Sequence, residues 1–93
     1  ANKKDDRRNA AEARKKLQPL RNTVKKAEHK MDALQTKLND IELQLADNSL
    51  YESTEKEKLK ALIVQQGSLK TELETVEMDW LAASEELELA GQE

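Results

Sequence analysis

The sequence predicts an all-α fold, an antiparallel two-helix coiled-coil hairpin whose first helix is kinked at Pro19. Three observations predict it. The first is composition: of 93 residues 38% are charged, with one Trp, one Tyr and no Phe, too few large side chains for a globular core. Ala, Leu, Glu, Lys and Gln dominate, beside two Gly and one Pro, and these are the strong helix formers. The second is an apolar rhythm of alternating three- and four-residue steps. The third is a short polar interruption between two such runs.

The first run is Leu17, Leu20, Val24, Ala27, Met31, Leu34, Leu38, Ile41 and Leu45. This is the a/d pattern of a helix that buries one narrow seam. Pro19 falls inside it at heptad position c, which points outward. A proline there removes one backbone hydrogen bond and crowds the carbonyl four residues back, so a bend is expected. Ala10 and Ala13 stay in phase with Leu17 and Leu20, which favours a bend within one arm over a boundary. The alternative makes residues 1–18 a linker helix, with Pro19 as the first-turn proline of the next.

The interruption is "ADNSLYEST", Ala46 to Thr54. Its Asp, Asn and Ser offer the backbone local side-chain bonds and so stop helices. Leu50 and Tyr51 are expected to fold over Leu45 and Leu59 and close the seam. Thr54 and Glu57 have the spacing of a capping box and should start the second helix, with Gly91 as its stop. That helix carries the second run, Leu59, Leu62, Gln66, Leu69, Leu73, Val76, Trp80, Ala83 and Leu87. Gly67 is its soft spot, costing about 1 kcal/mol relative to Ala. The chain thus divides into a basic N-terminal arm at 1–46, a turn at 47–53 and an acidic second helix at 54–90, all within one domain, 1–93. A turn this short leaves only an antiparallel return.

Charge suggests a register. If partner numbers add to about 100, Arg21 meets Glu77, Glu28 meets Lys70, Glu42 meets Lys56, Lys30 meets Glu72 and Lys16 meets Glu86, all attractive. Trp80 then faces Leu20, Leu73 faces Ala27, Leu87 faces Ala13 and Gln66 faces Leu34. A one-heptad slide places Glu28 against Glu77 and loses most of these pairs.

Charge is also uneven along the chain. Residues 1–30 hold eleven Lys and Arg against four acids, whereas residues 31–93 hold five against fifteen. Much of the basic arm is neutralised by its acidic neighbour in this register. Lys4, Arg8, Lys15, Lys25 and Lys26 are left over at outward b, c and f positions, and Arg7 and Arg14 face Gly91 and Ser84. These seven are the candidate nucleic-acid-binding residues, since spare cations on one arm can track phosphates by counterion release. No aromatic is interleaved with them, so base stacking is not expected.

Other chemistry finds little footing. The chain lacks Cys, which excludes disulfides and thiolate metal sites and is compatible with a reducing cytoplasm. No apolar run approaches the ~18 residues of a membrane span. His29, the one histidine, sits at an outward f position, and the carboxylates lie along convex helix surfaces without a pocket to shift their pKa values. There is no glycine-rich phosphate loop and no metal-ligand cluster. The reading is therefore non-enzymatic, with no catalytic, metal or cofactor-binding residues.

Particular segments carry more. "LQPLRNTVKKAEHKMDALQTKLNDIELQLADNSLYE" and "LKTELETVEMDWLAASEELE" resemble the C-terminal coiled-coil extension of bacterial ABC-F ATPases of the Uup and YheS type. The most specific parts are the PLR of Pro19 to Arg21, the LADxxLY of Leu45 to Tyr51 and the ExxW of Glu77 to Trp80. The resemblance implies a piece excised from a larger cytoplasmic ATPase, following two cassettes that hold ATP and Mg, in a family that acts on ribosomes and lacks transmembrane domains. The first residue, Ala1 rather than Met, agrees with excision. The resemblance also implies nucleic-acid contact, the related Uup extension being a DNA-binding coiled coil. It turns Arg7, Arg8, Arg14, Lys15, Lys16, Arg21, Lys25 and Lys26 into a candidate surface, of which the register assigns Lys16 and Arg21 to acids. The expected function is an accessory arm contacting rRNA, tRNA or DNA. The competing class is a structural or protein-interaction coiled coil that docks on the parent ATPase domains or forms a weak homodimer.

Overall fold

The computed structural model describes residues 3–91. One helix, α1, runs from Lys3 to Leu45; two 3₁₀ turns, Asn48–Tyr51 and Ser53–Glu55, lead into α2, Lys56–Gly91. No strand is present among the described residues. The molecule is a rod measuring 78 × 15 × 14 Å, and α1 and α2 pack against each other.

The apolar rhythm sets which side of each helix is covered. Every a/d position from Leu17 to Leu45 and from Leu59 to Leu87 is buried or half-buried, and of the intervening residues only Ser84 is not exposed. The core is correspondingly thin. Among the described residues it consists of Ala27, Leu34, Leu38, Ile41, Leu50, Leu62, Val76 and Ala83, with no buried polar or charged residue. Each Leu, Ile or Val among them contributes about 1.5–3 kcal/mol when fully buried, and a two-helix rod has no second layer to add more.

Pro19 does not interrupt α1. Its ring is exposed, so the proline forfeits a hydrogen bond without displacing a seam residue. The Thr23 hydroxyl donates to the Pro19 carbonyl at 3.0 Å, adding a bond one turn later.

The turn is ordered by side chains drawn from "ADNSLYEST". Asp47 caps the first 3₁₀ turn, its Oδ1 accepting from the Ser49 backbone N–H at 3.0 Å and from the Ser49 hydroxyl at 2.9 Å. Leu50 is buried with Ile41 and Leu62, and Leu45 and Leu59 pack against that group, so Leu50 closes the seam as expected whereas Tyr51 stays exposed. The Tyr51 hydroxyl donates to the Leu45 carbonyl at 2.7 Å and satisfies one of the carbonyls left open at the end of α1. The second helix starts differently from expectation. Thr54 lies within the second 3₁₀ turn, whose N-cap, Glu52, makes no side-chain cap bond. A capping box requires Thr54 to sit just outside the helix with extended backbone, and the 3₁₀ turn removes it from that geometry.

The contacts also correct the expected register. Val76 shares a buried cluster with Ala27 and Leu34, which lie on either side of Met31. Leu69 packs against that cluster and also against the one containing Ile41, which centres it on Leu38. Leu38 and Leu62, which should be opposite one another when partner numbers add to about 100, do not share a cluster. Ala13 is exposed although Leu87, its expected partner, is half-buried. All of this fits a register displaced by one heptad, which sets Trp80 beside Ala27 rather than Leu20. The reason is one of magnitude. Exposed ion pairs contribute about 0–1 kcal/mol each, less than one buried leucine, so seam packing overrides the charge preference. Of the five expected pairs only Lys30–Glu72 approaches within 4.0 Å, at 3.6 Å.

Candidate nucleic-acid interface

The displaced register determines what the N-terminal arm presents. Residues 3–16 are all exposed and Leu17 is the first that is half-buried, so roughly the first four turns of α1 project past the covered seam. They carry Arg7, Arg8, Arg14 and Lys15 together with Lys3, Lys4 and Lys16. The acidic half of α2 does not cover them. Arg7 and Arg14, expected opposite Gly91 and Ser84, both belong to this uncovered stretch.

Helical geometry then sorts the cations. At 3.6 residues per turn, heptad positions e, b and f form one continuous outer strip. Between Lys4 and Lys25 that strip holds Lys4, Arg7, Arg8, Arg14, Lys15, Arg21 and Lys25, with Ala11, Gln18 and Asn22 filling the rest. It contains no acid. Asp5 and Glu12 fall at c, on its edge, where Lys26 also lies. Arg7, Arg14 and Arg21 recur every seven residues, a straight row about 21 Å long at 1.5 Å per residue. The structure therefore brings six of the seven expected residues onto one face and leaves Lys26 on its border. Arg21 joins them, because its expected pair with Glu77 is not formed.

All of these side chains are exposed. Lys30–Glu72 is the single ion pair among the described residues, so none of the face is held by a carboxylate of those residues. Arg14 Nε donates to the Ala10 carbonyl of its own helix at 3.4 Å. Lys16 and Lys30 lie at g on the other flank. The second arm is the electrostatic opposite, since no Lys or Arg follows Lys70.

Among the described residues no three His, Cys, Asp or Glu side chains lie close enough to hold a metal ion. His29 is exposed, and no helix is long and apolar enough to cross a membrane. The resolved perturbation of an acid is at the tip. There the Ser49 hydroxyl, followed by the Ser49 backbone N–H, holds the Asp47 carboxyl below its ordinary value of 3.8, a structural role.

Comparison with known proteins adds a relative. The chain is 42% identical over 86 residues to "Probable ATP-binding protein YheS" of Escherichia coli K12, a match covering 92% of this chain. Over that stretch the chain is related to the YheS-type proteins of the ABC-F family. YheS of Haemophilus influenzae matches at 50% identity over 42 residues, 45% of this chain. The chain spans 14% of the length of the E. coli YheS protein. No family model and no solved structure matches it.

Proposed function

We propose that this chain is the antiparallel coiled-coil hairpin of an ABC-F ATPase, bent at Pro19, and that it serves as an accessory arm contacting rRNA, tRNA or DNA through the basic strip of α1. In this reading ATP and Mg belong to the parent's cassettes, the ribosome is the setting and the cytoplasm the compartment. The observation that carries it is the acid-free strip from Lys4 to Lys25, exposed and without ion pairs among the described residues. Such a row neutralises phosphates by position alone, which makes binding tolerant of sequence and steeply dependent on salt. The relation to YheS supports the parent, and the opposite chain order of the packed residues, Ala27 with Val76 and Ile41 with Leu62, supports the hairpin.

The test is binding of the chain to duplex DNA, tRNA and ribosomes over a salt series. Affinity should fall with log salt at a slope of about −3 to −6, and Lys25→Glu with Lys26→Glu should weaken it. No binding at about 50 mM salt, or a flat slope, would remove the nucleic-acid reading.

A second reading is a protein-interaction coiled coil docking on the parent ATPase. It is favoured by large apolar side chains left on the surface of α2, Val64 and Met78 being 71% and 72% exposed.

A further inference from the structure

The outer side of α2 is acidic and apolar at once. Glu74, Glu77, Met78 and Leu81 line one open groove; their spacing of i, i+3, i+4 and i+7 puts them on a single helical stripe. Met78 is 72% and Leu81 52% exposed. Lys70, four residues before Glu74, is the last Lys or Arg of α2, so the two carboxylates of the groove have one cation of their own helix beside them and none after it. A partner for it must bring positive charge for Glu74 and Glu77, and small residues beside that charge so that the Met78 and Leu81 side chains can approach its backbone. The uncovered end of α1 has that pattern at the same spacing, in Arg7, Ala10, Ala11 and Arg14, all exposed.

A helix cannot fold back onto the outside of its own partner from that end, since α1 is continuous from Lys3 to Leu45. Two copies can do it reciprocally. We infer that the groove around Met78 and Leu81 receives the Arg7–Arg14 segment of a second copy of this chain, so that two rods pair by their open ends about a two-fold axis. Such a contact is isologous and closes on itself, so it stops at a dimer. Its electrostatic component is exposed and therefore salt-sensitive. It does not depend on nucleic-acid binding, but it uses part of the same basic strip, so a polyanion competes with it.

The experiment is sedimentation velocity on the 93-residue chain at low and high salt, with two charge-reversed variants. Variant one is Glu74→Lys with Glu77→Lys; variant two is Arg7→Glu with Arg14→Glu. The native chain should dimerise at about 50 mM salt and weaken at least about tenfold at 0.5 M, where screening shortens to a few Å. Each variant alone should be monomeric, because like charges then meet at both contacts. Their equimolar mixture should regain the dimer, because both contacts become complementary again. Met78→Gln with Leu81→Gln, which leaves the charges alone, should also weaken the native dimer. Circular dichroism on each variant separates loss of helix from loss of association. A native chain that stays monomeric at low salt, or folded variants whose mixture stays monomeric, would overturn the inference. The first outcome leaves the nucleic-acid reading standing, so the two fail separately.

Discussion

Lys30 Nζ lies 3.6 Å from Glu72 Oε1, the one ion pair between the two helices among the described residues. Both side chains are about half exposed, at 57% and 48%. A pair so wet orients the helices but adds little, about 0–1 kcal/mol. Lys30→Ala should therefore leave the thermal midpoint nearly unchanged. A loss of more than about 1 kcal/mol would show that such pairs carry more stability than their exposure allows.

The register is checked by cross-linking, and the chain's lack of Cys makes engineered pairs unambiguous. Leu38→Cys with Leu69→Cys should oxidise readily under mild conditions. Leu38→Cys with Leu62→Cys should not, since Leu38 is not among the side chains packed with Leu62. The reverse result would restore the charge-derived register.

Gly67 lies within α2, and a Cβ built on it meets nothing within 4 Å. Gly67→Ala should then gain helix propensity without a clash, raising stability by about 1 kcal/mol, or roughly 4–8 °C in midpoint for a domain of this size. A lower midpoint would mean that the glycine serves some contact with a partner.

The tip separates packing from hydrogen bonding. Leu50 is 4% exposed, and Leu50→Ala should cost about 2–5 kcal/mol, as buried leucine truncations do. Tyr51 is 60% exposed while its hydroxyl bonds the Leu45 carbonyl at 2.7 Å, so Tyr51→Phe should cost about 0.5–1.5 kcal/mol. Denaturation of the two variants side by side measures the ranking, and a larger loss for Tyr51→Phe would contradict it.

Acid should loosen the same tip. The Asp47 carboxyl is held below 3.8 by Ser49, so its contribution is fully present above that value and is lost as pH falls through the lower, folded-state pKa. The Asp47→Asn variant should lose this part of the pH dependence. An unchanged stability profile below pH 3.8 in the variant would show that Asp47 does not couple the turn to pH.

Much of this architecture was legible because a two-helix rod has one requirement, a continuous apolar seam. Both a/d runs are covered as their spacing implied, and Leu50 closes the end. What escaped was decided by small energy differences. The register turned on exposed charges that Trp80, Ala27, Leu69 and Leu38 outweigh by packing. Thr54 and Glu57 had the spacing of a cap, but the chain entered α2 through a 3₁₀ turn anchored by Asp47. For the candidate face the heptad positions of Lys4, Arg7, Arg8, Arg14, Lys15 and Lys25 were readable from the sequence. The release of Arg21 from Glu77, and of residues 3–16 from the acidic helix, needed the register.

The basic strip of α1 as a phosphate-tracking unit is tested most directly by comparing salt slopes for duplex DNA. Arg8→Ala with Lys15→Ala removes two cations from the strip, while Lys56→Ala with Lys60→Ala removes two from the far end of α2. The strip variant should lose about 0.9 of slope for each phosphate contact removed, and the α2 variant should keep the native slope. Equal losses from both variants, or none from the first, would contradict the account.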